Sequence, residues 1–438
     1  MELTTKDSGT AFSNDNPLSP VPLEQRQNWT TPAVIFGGLE FTIPVLMVGA
    51  TLAASFSLES VIWIVVLALL LIQWPGNAIS GYVGAKTGLP STVLAKNSFG
   101  ISQAKMIAGG TIFISSLGWW ALQTAVAGNA FSAMLGIDPE RQWALWALIT
   151  AVAGLTFAIP SIIGYSSMKW TDYLAVPAGL LLIAAGIYFA VQNSGWDDIR
   201  SWDPEPTMSV VAALSLVVGV NASQWVISSD YTRYAKPSWR DNILIPWGII
   251  SVGIPLFLVG AFMSVGIGES DIVAVMVELG FPFWGFLILW LATWTSQLVN
   301  NYSMGLALSN LMNVDSSRGR QLLTLAGTII GVVLAIAGIL DYFTDFLYLT
   351  SLVYPAIAAI VVVDFFFIRR QKWEAIDGWN FVATAATAVG IVVGYFTQYV
   401  TPVGIPALQS LLAAAIVYYL GMSVQAMLKP GKFSPRIT

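Results

Sequence analysis

Hydrophobic residues form long runs along the whole chain, and short polar segments separate each run from the next. A helix needs about 20 apolar residues to cross a hydrocarbon core roughly 30 Å thick. Measured against that length, the pattern predicts about twelve membrane-spanning helices. We place them at residues 33–53, 60–83, 105–135, 143–164, 170–192, 208–229, 243–267, 282–312, 321–340, 343–367, 379–399 and 405–427.

The basic residues are divided unevenly between the two sets of loops that alternate along such a topology. If both termini lie in the cytoplasm, all but two of the 19 Lys and Arg residues fall in cytoplasmic segments, and the exceptions are Arg141 and Arg200. This excess is the distribution that orients membrane proteins. We therefore expect a multi-pass protein of the plasma (cytoplasmic or inner) membrane with both termini in the cytoplasm.

The composition agrees with a membrane protein and removes several kinds of chemistry. The 438 residues are 56% hydrophobic and 10% charged, and the chain has neither Cys nor His. Thiol nucleophiles, disulfides, imidazole bases and the usual zinc ligands are therefore excluded. An enzyme would need a nucleophile and a base, and only Glu40 is an acid deep within a span, so we expect a protein that is not an enzyme.

The first span is interrupted by residues that weaken a helix. Gly37 and Gly38 are adjacent, Glu40 follows them, and Pro44 comes next, all within one apolar run. A carboxyl at that depth is costly, so it is expected to face protein or a water-filled cavity. The combination predicts a discontinuous helix whose free carbonyl groups bind a cation. The alternative is a kinked helix in which Glu40 pairs with a neighbouring span for structural reasons.

The third span carries an aromatic and an amide on one helical face. Trp119 and Gln123 are four residues apart, so their side chains lie one above the other. An indole that stacks and an amide that both donates and accepts suit a flat, polar, neutral ring. Tryptophan in a membrane span also serves packing and interface anchoring, which is the alternative.

The sixth span holds a second polar cluster near its middle. Asn221, Ser223 and Gln224 follow Gly219, a poor helix former. The first and sixth spans are five spans apart, as expected of inverted repeats. Interrupted helices in corresponding positions of two repeats indicate the binding site of a transporter.

The eighth span supplies hydroxyl and amide groups. Thr295 and Ser296 are adjacent, and together with free carbonyls of a broken helix they make a hard-oxygen site that suits Na⁺. Hydroxyls that bond back to their own helix are the alternative. Amide side chains follow at Gln297, Asn300 and Asn301, which is more than packing alone needs.

With these features in place, the sequence resembles the nucleobase/cation symporter family one, which includes cytosine permeases and hydantoin transporters. The resemblance runs from about Trp29 to Leu428. It rests most on three segments, G-Y-V-G-A-K-T-G-L with S-F-G between residues 81 and 100, S-D-Y-T-R-Y at 229–234 and W-T-S at 294–296.

The resemblance implies an all-α, leucine-transporter-type fold of about twelve transmembrane helices with spans one and six discontinuous. The chain is then divided into a disordered cytoplasmic tail, two inverted repeats of five spans, two additional spans and a second cytoplasmic tail. The corresponding residues are 1–32, 33–192, 208–367, 379–427 and 428–438.

The resemblance also assigns site residues position by position. Oxygen atoms from two helices would bind sodium, at Gly38, Phe41, Ala292, Thr295 and Ser296. The substrate ring would stack on Trp119 and meet amides at Gln123 and Asn301. To these we add four polar residues from the same spans as substrate ligands: Glu40, Asn221, Ser223 and Gln297.

Several positions depart from the family pattern. Asn221 stands where relatives stack a second aromatic, so a two-sided sandwich would need Trp225 or another ring. Ser116 and Ala292 stand where relatives have a glutamine and an asparagine, and Glu40 has no acidic counterpart in the cytosine permeases. The role of Glu40 is open between a proton carrier, a counter-charge to a cationic ligand and a structural acceptor.

The sequence therefore predicts a secondary transporter that imports a cytosine- or purine-like heterocycle by alternating access, with Na⁺ as the coupling ion. The alternative is a proton-coupled importer of another heterocycle, such as a hydroxymethylpyrimidine or a vitamin precursor. An ion channel is a third possibility, although no repeated pore ring is visible. The expected partners are the small heterocycle and the lipid bilayer, with no cofactor beyond the ion, no nucleic acid and no obligatory protein partner.

Overall fold

The computed structural model describes residues 20–164, 172–265, 267, 269, 271–314 and 316–428, and within these residues the chain is helical without a strand. The helices are α1 (Thr30–Glu40), α2 (Ile43–Ala53), α3 (Leu58–Leu67), α4 (Trp74–Thr87), α5 (Ser91–Phe99), α6 (Ile101–Met134), α7 (Trp143–Phe157), α8 (Ile159–Ile163), α9 (Asp172–Ser201), α10 (Val210–Asn221), α11 (Gln224–Thr232), α12 (Trp239–Leu244), α13 (Trp247–Ser264), α14 (Ile272–Glu278), α15 (Phe283–Met312), α16 (Ser317–Ile336), α17 (Phe343–Val363), α18 (Phe381–Tyr395) and α19 (Pro406–Leu428). Wider π-helical turns join α3 to α4 and extend α17 and α18.

Many of these helices have the length and apolar character of membrane spans. Nine helical stretches in the described part of the chain could cross a bilayer, and a tenth counts if α1 and α2 form one bent span. Two further helices, α6 and α15, have 34 and 30 residues and carry polar side chains in their middle turns. The predicted all-α membrane architecture is confirmed, and the count of twelve crossings stays a prediction.

The first predicted span is two helices whose axes differ by 60°. Helix α1 ends at Glu40, and Phe41 and Thr42 leave the helical conformation before α2 begins. The Thr42 N–H donates to the Glu40 carbonyl at 2.7 Å, which closes a tight turn. Pro44 lies in the first turn of α2, where its missing N–H costs nothing. The chain therefore breaks just before the proline, and the helix continues through the Gly37–Gly38 pair.

Glycines let α13 pack directly against the backbone of both halves of the first span. A Cβ atom at Gly248 would lie 1.9 Å from the Ala33 carbonyl oxygen, and one at Gly260 would lie 2.0 Å from the Leu46 carbonyl oxygen. Neither distance is sterically possible. Only glycine at these two positions of α13 allows it to hold α1 and α2 at their observed angle.

Replacing Gly260 with valine is expected to destabilise the protein by about 1–3 kcal/mol or more, because the backbone of α2 cannot move away without losing its other contacts. Thermal unfolding in detergent measures the loss. Gly110→Ala is the control, since no atom lies within 4 Å of a Cβ at that helical position. That variant is expected to be neutral or slightly more stable, and an equal loss in both variants would contradict the packing argument.

The sixth span is interrupted far less than the first. Helices α10 and α11 are separated by Ala222 and Ser223 alone, and both residues keep right-handed helical dihedral angles. The Gln73 side chain donates to the Asn221 carbonyl at 2.9 Å, so a backbone acceptor at the interruption is satisfied by another helix. The two helices thus form one apolar stretch, Val210–Thr232, with a local opening in its ladder of hydrogen bonds.

The segment before α1 packs on the body of the protein. The Gln27 N–H donates to the Tyr234 carbonyl at 2.6 Å, and the Lys236 N–H donates to the Gln27 carbonyl at 3.1 Å. The Arg26 guanidinium donates to the Ala85 carbonyl. These hydrogen bonds fix the backbone at Gln27, so the last residues of the predicted disordered tail, 1–32, are ordered. Residues 1–19 and 429–438 lie outside the described residues.

Candidate functional site

A cleft lies between the two interrupted spans and the long helices α6, α15 and α17. Polar and aromatic side chains form much of its wall. The lining residues are Leu39, Thr42, Ile112, Ser115, Ser116, Trp119, Gln123, Val220, Asn221, Ser223, Gln224, Ile227, Asp230, Tyr231, Ser296, Val299, Asn300, Ser303 and Tyr354.

Both residues that the sequence indicated in the third span lie on this wall. The Trp119 ring is held edge-on by Phe346, with ring centroids 5.0 Å apart and planes at 88°. The Gln123 Nε2 donates to the Ser296 Oγ at 3.4 Å, so α6 and α15 meet at the cleft. The Gln123 Oε1 is buried, and among the described residues it has no hydrogen-bond partner. Such an acceptor is available to a ligand.

The interruption of the sixth span places Asn221, Ser223 and Gln224 on the opposite wall. They lie at the junction of two helices, since α10 ends at Asn221 and α11 begins at Gln224 after the turn at Ala222 and Ser223. The Asn221 Nδ2 does not point into open space but donates to the Glu40 Oε1 at 2.9 Å.

Glu40 lies behind the cleft wall and is 1% exposed. Its carboxyl fits against Gly253 of α13, where a Cβ would lie 2.8 Å from the Glu40 Oε1. One side chain, Asn221, therefore stands between Glu40 and the cleft. Direct contact between Glu40 and a substrate stays a prediction.

Trp225 does not supply the second stacking ring that the sequence analysis considered. Its Nε1 donates to the Gln73 Oε1 at 3.0 Å, and its ring packs on Gly76, where a Cβ would lie 2.3 Å away. Both contacts fix the indole between α4 and α11, outside the lining. The rings on the cleft wall, within the described part of the chain, are Trp119, Tyr231 and Tyr354.

The amides of the eighth span divide between two faces of α15. Asn300 lines the cleft. Gln297 instead donates to the Thr124 hydroxyl at 3.1 Å, and Asn301 donates to the Ser161 hydroxyl at 2.8 Å. The two predicted ligands Gln297 and Asn301 thus lie on the face that joins α15 to its neighbours. Sequence spacing could have distinguished these amides. Asn300 is four residues after Ser296 and so shares its helical face, whereas Asn301 does not.

The predicted sodium ligands come from two helices that contact each other, α1 and α15. Ser296 lies on the cleft wall. Leu39 and Thr42 also line it, and the predicted ligand Phe41 lies between them in the sequence. In a continuous helix the Thr42 N–H would donate to the Gly38 carbonyl. Here it donates to the Glu40 carbonyl instead, so the Gly38 carbonyl lacks this helical partner. Backbone carbonyls and hydroxyls are hard oxygen ligands, which Na⁺ prefers.

The remaining predicted ligands on this helix are Ala292, which is buried, and Thr295, which is half-buried. Sodium could meet only the backbone carbonyl of Ala292, whereas Thr295 offers a hydroxyl as well. Their coordination of an ion stays a prediction.

Sequence analysis did not include Asp230 among the site residues, although it lines the cleft. The Ser91 N–H and the Ser91 hydroxyl each donate to this carboxyl at 2.8 Å. The carboxyl therefore ties α11 to the first residue of α5. This contact holds the Asp230 carboxyl, on the cleft wall, against the start of α5.

The chain matches one family model over nearly its whole length. Residues 20–421 match the model described as "Permease for cytosine/purines, uracil, thiamine, allantoin". Among curated proteins, the cytosine permease of Escherichia coli (strain K12) is 27% identical over 421 residues, which cover 93% of this chain and 95% of that protein.

Solved structures of one transporter superpose on this chain. The inward-facing conformation of Mhp1 gives a TM-score of 0.80 at 19% identity and covers 96% of both chains. Mhp1 in a closed conformation with bromovinylhydantoin bound, described as a nucleobase-cation-symport-1 family transporter, gives a TM-score of 0.76 at 20% identity, with 96% of this chain and 97% of the other covered. This likeness confirms the predicted fold class.

Proposed function

The chain belongs to the family of permeases for cytosine/purines, uracil, thiamine and allantoin, and from that premise we propose that it imports a nucleobase or a closely related heterocycle by symport with Na⁺. It is a multi-pass membrane transporter and not an enzyme. Its family transports small heterocycles, which agrees with the polar and aromatic wall of the cleft. We further propose that it lies in the plasma membrane with both termini in the cytoplasm.

One observation supports a nucleobase most directly: Trp119 and Gln123 line the cleft on one side while the amides of Asn221 and Gln224 line it on the other. A flat ring stacks on the indole and meets amide groups at its edges. An aliphatic amino acid would gain little from the indole face. The similarity to a cytosine permease agrees with this choice of substrate class.

Coupling to sodium is proposed from the arrangement of hard oxygen atoms beside the same cleft. Leu39 and Thr42, on either side of the break after Glu40, line the same cleft as Ser296. A cation bound there would hold α1 against α15 and so fix one side of the substrate site. Binding of the ion and of the heterocycle would then each favour the other, because such coupling is reciprocal.

A thermal-shift measurement on purified protein tests the proposal. Cytosine at about 100 times its dissociation constant is expected to stabilise the folded protein by about 2.7 kcal/mol. The midpoint concentration of cytosine should fall when NaCl replaces KCl at equal ionic strength. If cytosine, uracil, adenine, hydantoin and allantoin all leave the unfolding temperature unchanged, the proposed substrate class is wrong.

Proton coupling is the second candidate, and the carboxyl of Asp230 on the cleft wall favours it. Reconstituted vesicles distinguish the two candidates. Saturable uptake that needs Na⁺ and persists without a pH gradient supports sodium symport. Uptake in sodium-free buffer that follows an imposed pH gradient supports proton symport, and a conductance that does not saturate would indicate a channel.

A further inference from the structure

A chain of three polar side chains runs from the broken first span to the cleft. The Asn221 Nδ2 donates to the Glu40 Oε1 at 2.9 Å, and the Gln224 Nε2 donates to the Asn221 Oδ1 at 3.1 Å. All three side chains are buried. Asn221 and Gln224 also line the cleft, so the chain of hydrogen bonds begins at Glu40 and ends at a residue of the cleft wall.

The Oε1 atom of Glu40 accepts a hydrogen bond from the Asn221 Nδ2, and this sets the direction of the chain, because an amide has a donor end and an acceptor end. With its nitrogen turned towards the Glu40 carboxyl, Asn221 has its oxygen left for Gln224. Gln224 in turn presents its nitrogen to the Asn221 oxygen. The end that remains is the Gln224 Oε1. It is buried and has no hydrogen-bond partner among the described residues.

The surrounding structure holds the first two members of the chain in place. Gly253 leaves room for the Glu40 carboxyl, since a Cβ there would lie 2.8 Å from the Oε1 atom. The Gln73 side chain donates to the main-chain carbonyl of Asn221 at 2.9 Å and fixes the turn from which the Asn221 side chain projects. Glu40 and Asn221 are therefore positioned by contacts that do not involve a ligand.

A second acceptor without a partner belongs to a residue on the other wall of the cleft. The Gln123 Oε1 is also buried without a partner in the part of the chain that the structure describes. Gln123 belongs to α6 and Gln224 to α11, so the two acceptors lie on different walls. A buried acceptor without a donor is unfavourable, and a ligand that brings a donor to each removes both deficits.

We propose that Glu40 is a positioning residue for substrate specificity, which acts through Asn221 and Gln224 to select heterocycles that carry an exocyclic amine. The inference rests on the proposed function and names the substrate class within it. Cytosine has a ring N–H at position 1 and an amine at position 4, two donors across the ring from each other. Uracil has an acceptor oxygen at position 4, which the Gln224 Oε1 repels. Aminated nucleobases therefore fit this cleft better than their oxo analogues.

Dissociation constants for cytosine and uracil, measured at one fixed NaCl concentration, test this inference. The variants are Glu40→Gln, Gln224→Leu and the double variant, with Glu59→Gln as the control. Glu59 is exposed in the first turn of α3, so this control makes the same chemical change away from the cleft. Thermal unfolding of each variant reports its stability separately.

The wild-type protein is expected to bind cytosine about tenfold or more tightly than uracil. Glu40→Gln should lower that ratio about tenfold, because a glutamine can donate as well as accept and lets both amides reverse. Gln224→Leu should lower the ratio similarly. The double variant should have the same ratio as Gln224→Leu alone, because Glu40 acts through Gln224. Glu59→Gln should keep the wild-type ratio.

Three results would overturn the inference. A Glu40→Gln protein with the wild-type cytosine-to-uracil ratio removes the positioning role and leaves the proposed function standing. Equal weakening of both bases, together with a lower unfolding temperature, shows that Glu40 serves stability alone. Absence of binding of either base to the wild-type protein refutes the proposed substrate class, and the inference fails with it.

Discussion

Replacing Gln123 with alanine is expected to weaken nucleobase binding roughly 5- to 150-fold, because an unpaired polar group left in a buried complex costs about 1–3 kcal/mol. The Gln123 amide lies on the cleft wall and is 3% exposed, so water cannot readily replace it as a partner of the ring. Trp119→Ala should also weaken binding several-fold, since stacking on an aromatic contributes about 1 kcal/mol or more. Isothermal titration with cytosine measures both effects.

A matched control for this prediction comes from the neighbouring helix. Gln297 is also a buried amide, but it donates to the Thr124 hydroxyl and does not line the cleft. Gln297→Ala should therefore lower the unfolding temperature and leave the dissociation constant unchanged. If Gln123→Ala and Trp119→Ala both bind cytosine as the wild type does, the substrate site lies elsewhere.

The hydrophobic pattern alone predicted the positions of the long helices closely. The predicted span 282–312 corresponds to the observed helix Phe283–Met312, and the predicted span 105–135 corresponds to Ile101–Met134. This success has a simple cause, because a helix within lipid must satisfy every backbone group internally and must present apolar side chains to the lipid. Length and polarity then define the element without knowledge of its neighbours.

The exact place of the break in the first span could not be read from the sequence. Gly37, Gly38 and Pro44 all weaken a helix, and propensity does not say which of them acts. In the structure the break falls at Phe41 and Thr42, whereas Gly37 serves close packing, since a Cβ there would lie 3.2 Å from the Gly248 carbonyl oxygen. A single sequence does not distinguish a glycine needed for close helix packing from a glycine needed for a turn.

The direction of each amide was also hidden from the sequence. Asn300 and Asn301 are adjacent, and only the rotation of α15 decides that Asn300 faces the cleft while Asn301 donates to Ser161. Long-range contacts between helices set that rotation. The contact between Glu40 and Asn221, which are 181 residues apart, is of the same kind, since neither local pattern nor spacing indicates it.

Replacing Thr295 and Ser296 together with alanine is expected to abolish the effect of Na⁺ on cytosine affinity. Two hydroxyl ligands are lost from the proposed ion site, and the carbonyls that remain cannot complete the shell of hard oxygens that the ion needs. The measurement is the ratio of cytosine dissociation constants in KCl and in NaCl. The ratio isolates the ion effect, because any loss of the Gln123 hydrogen bond to Ser296 affects both values equally.

Thr293→Ala is the control that separates an ion site from a weakened helix. Thr293 lies on the same helix and is buried, but its hydroxyl donates to the carbonyls of Leu289 and Trp290 at 3.2 and 3.1 Å. It bonds back to its own helix and is not one of the proposed ion ligands. The control should keep the wild-type ratio. If Thr293→Ala loses the sodium effect as fully as the double variant, the effect depends on the stability of α15, and a double variant that still responds fully to Na⁺ places the ion at another site.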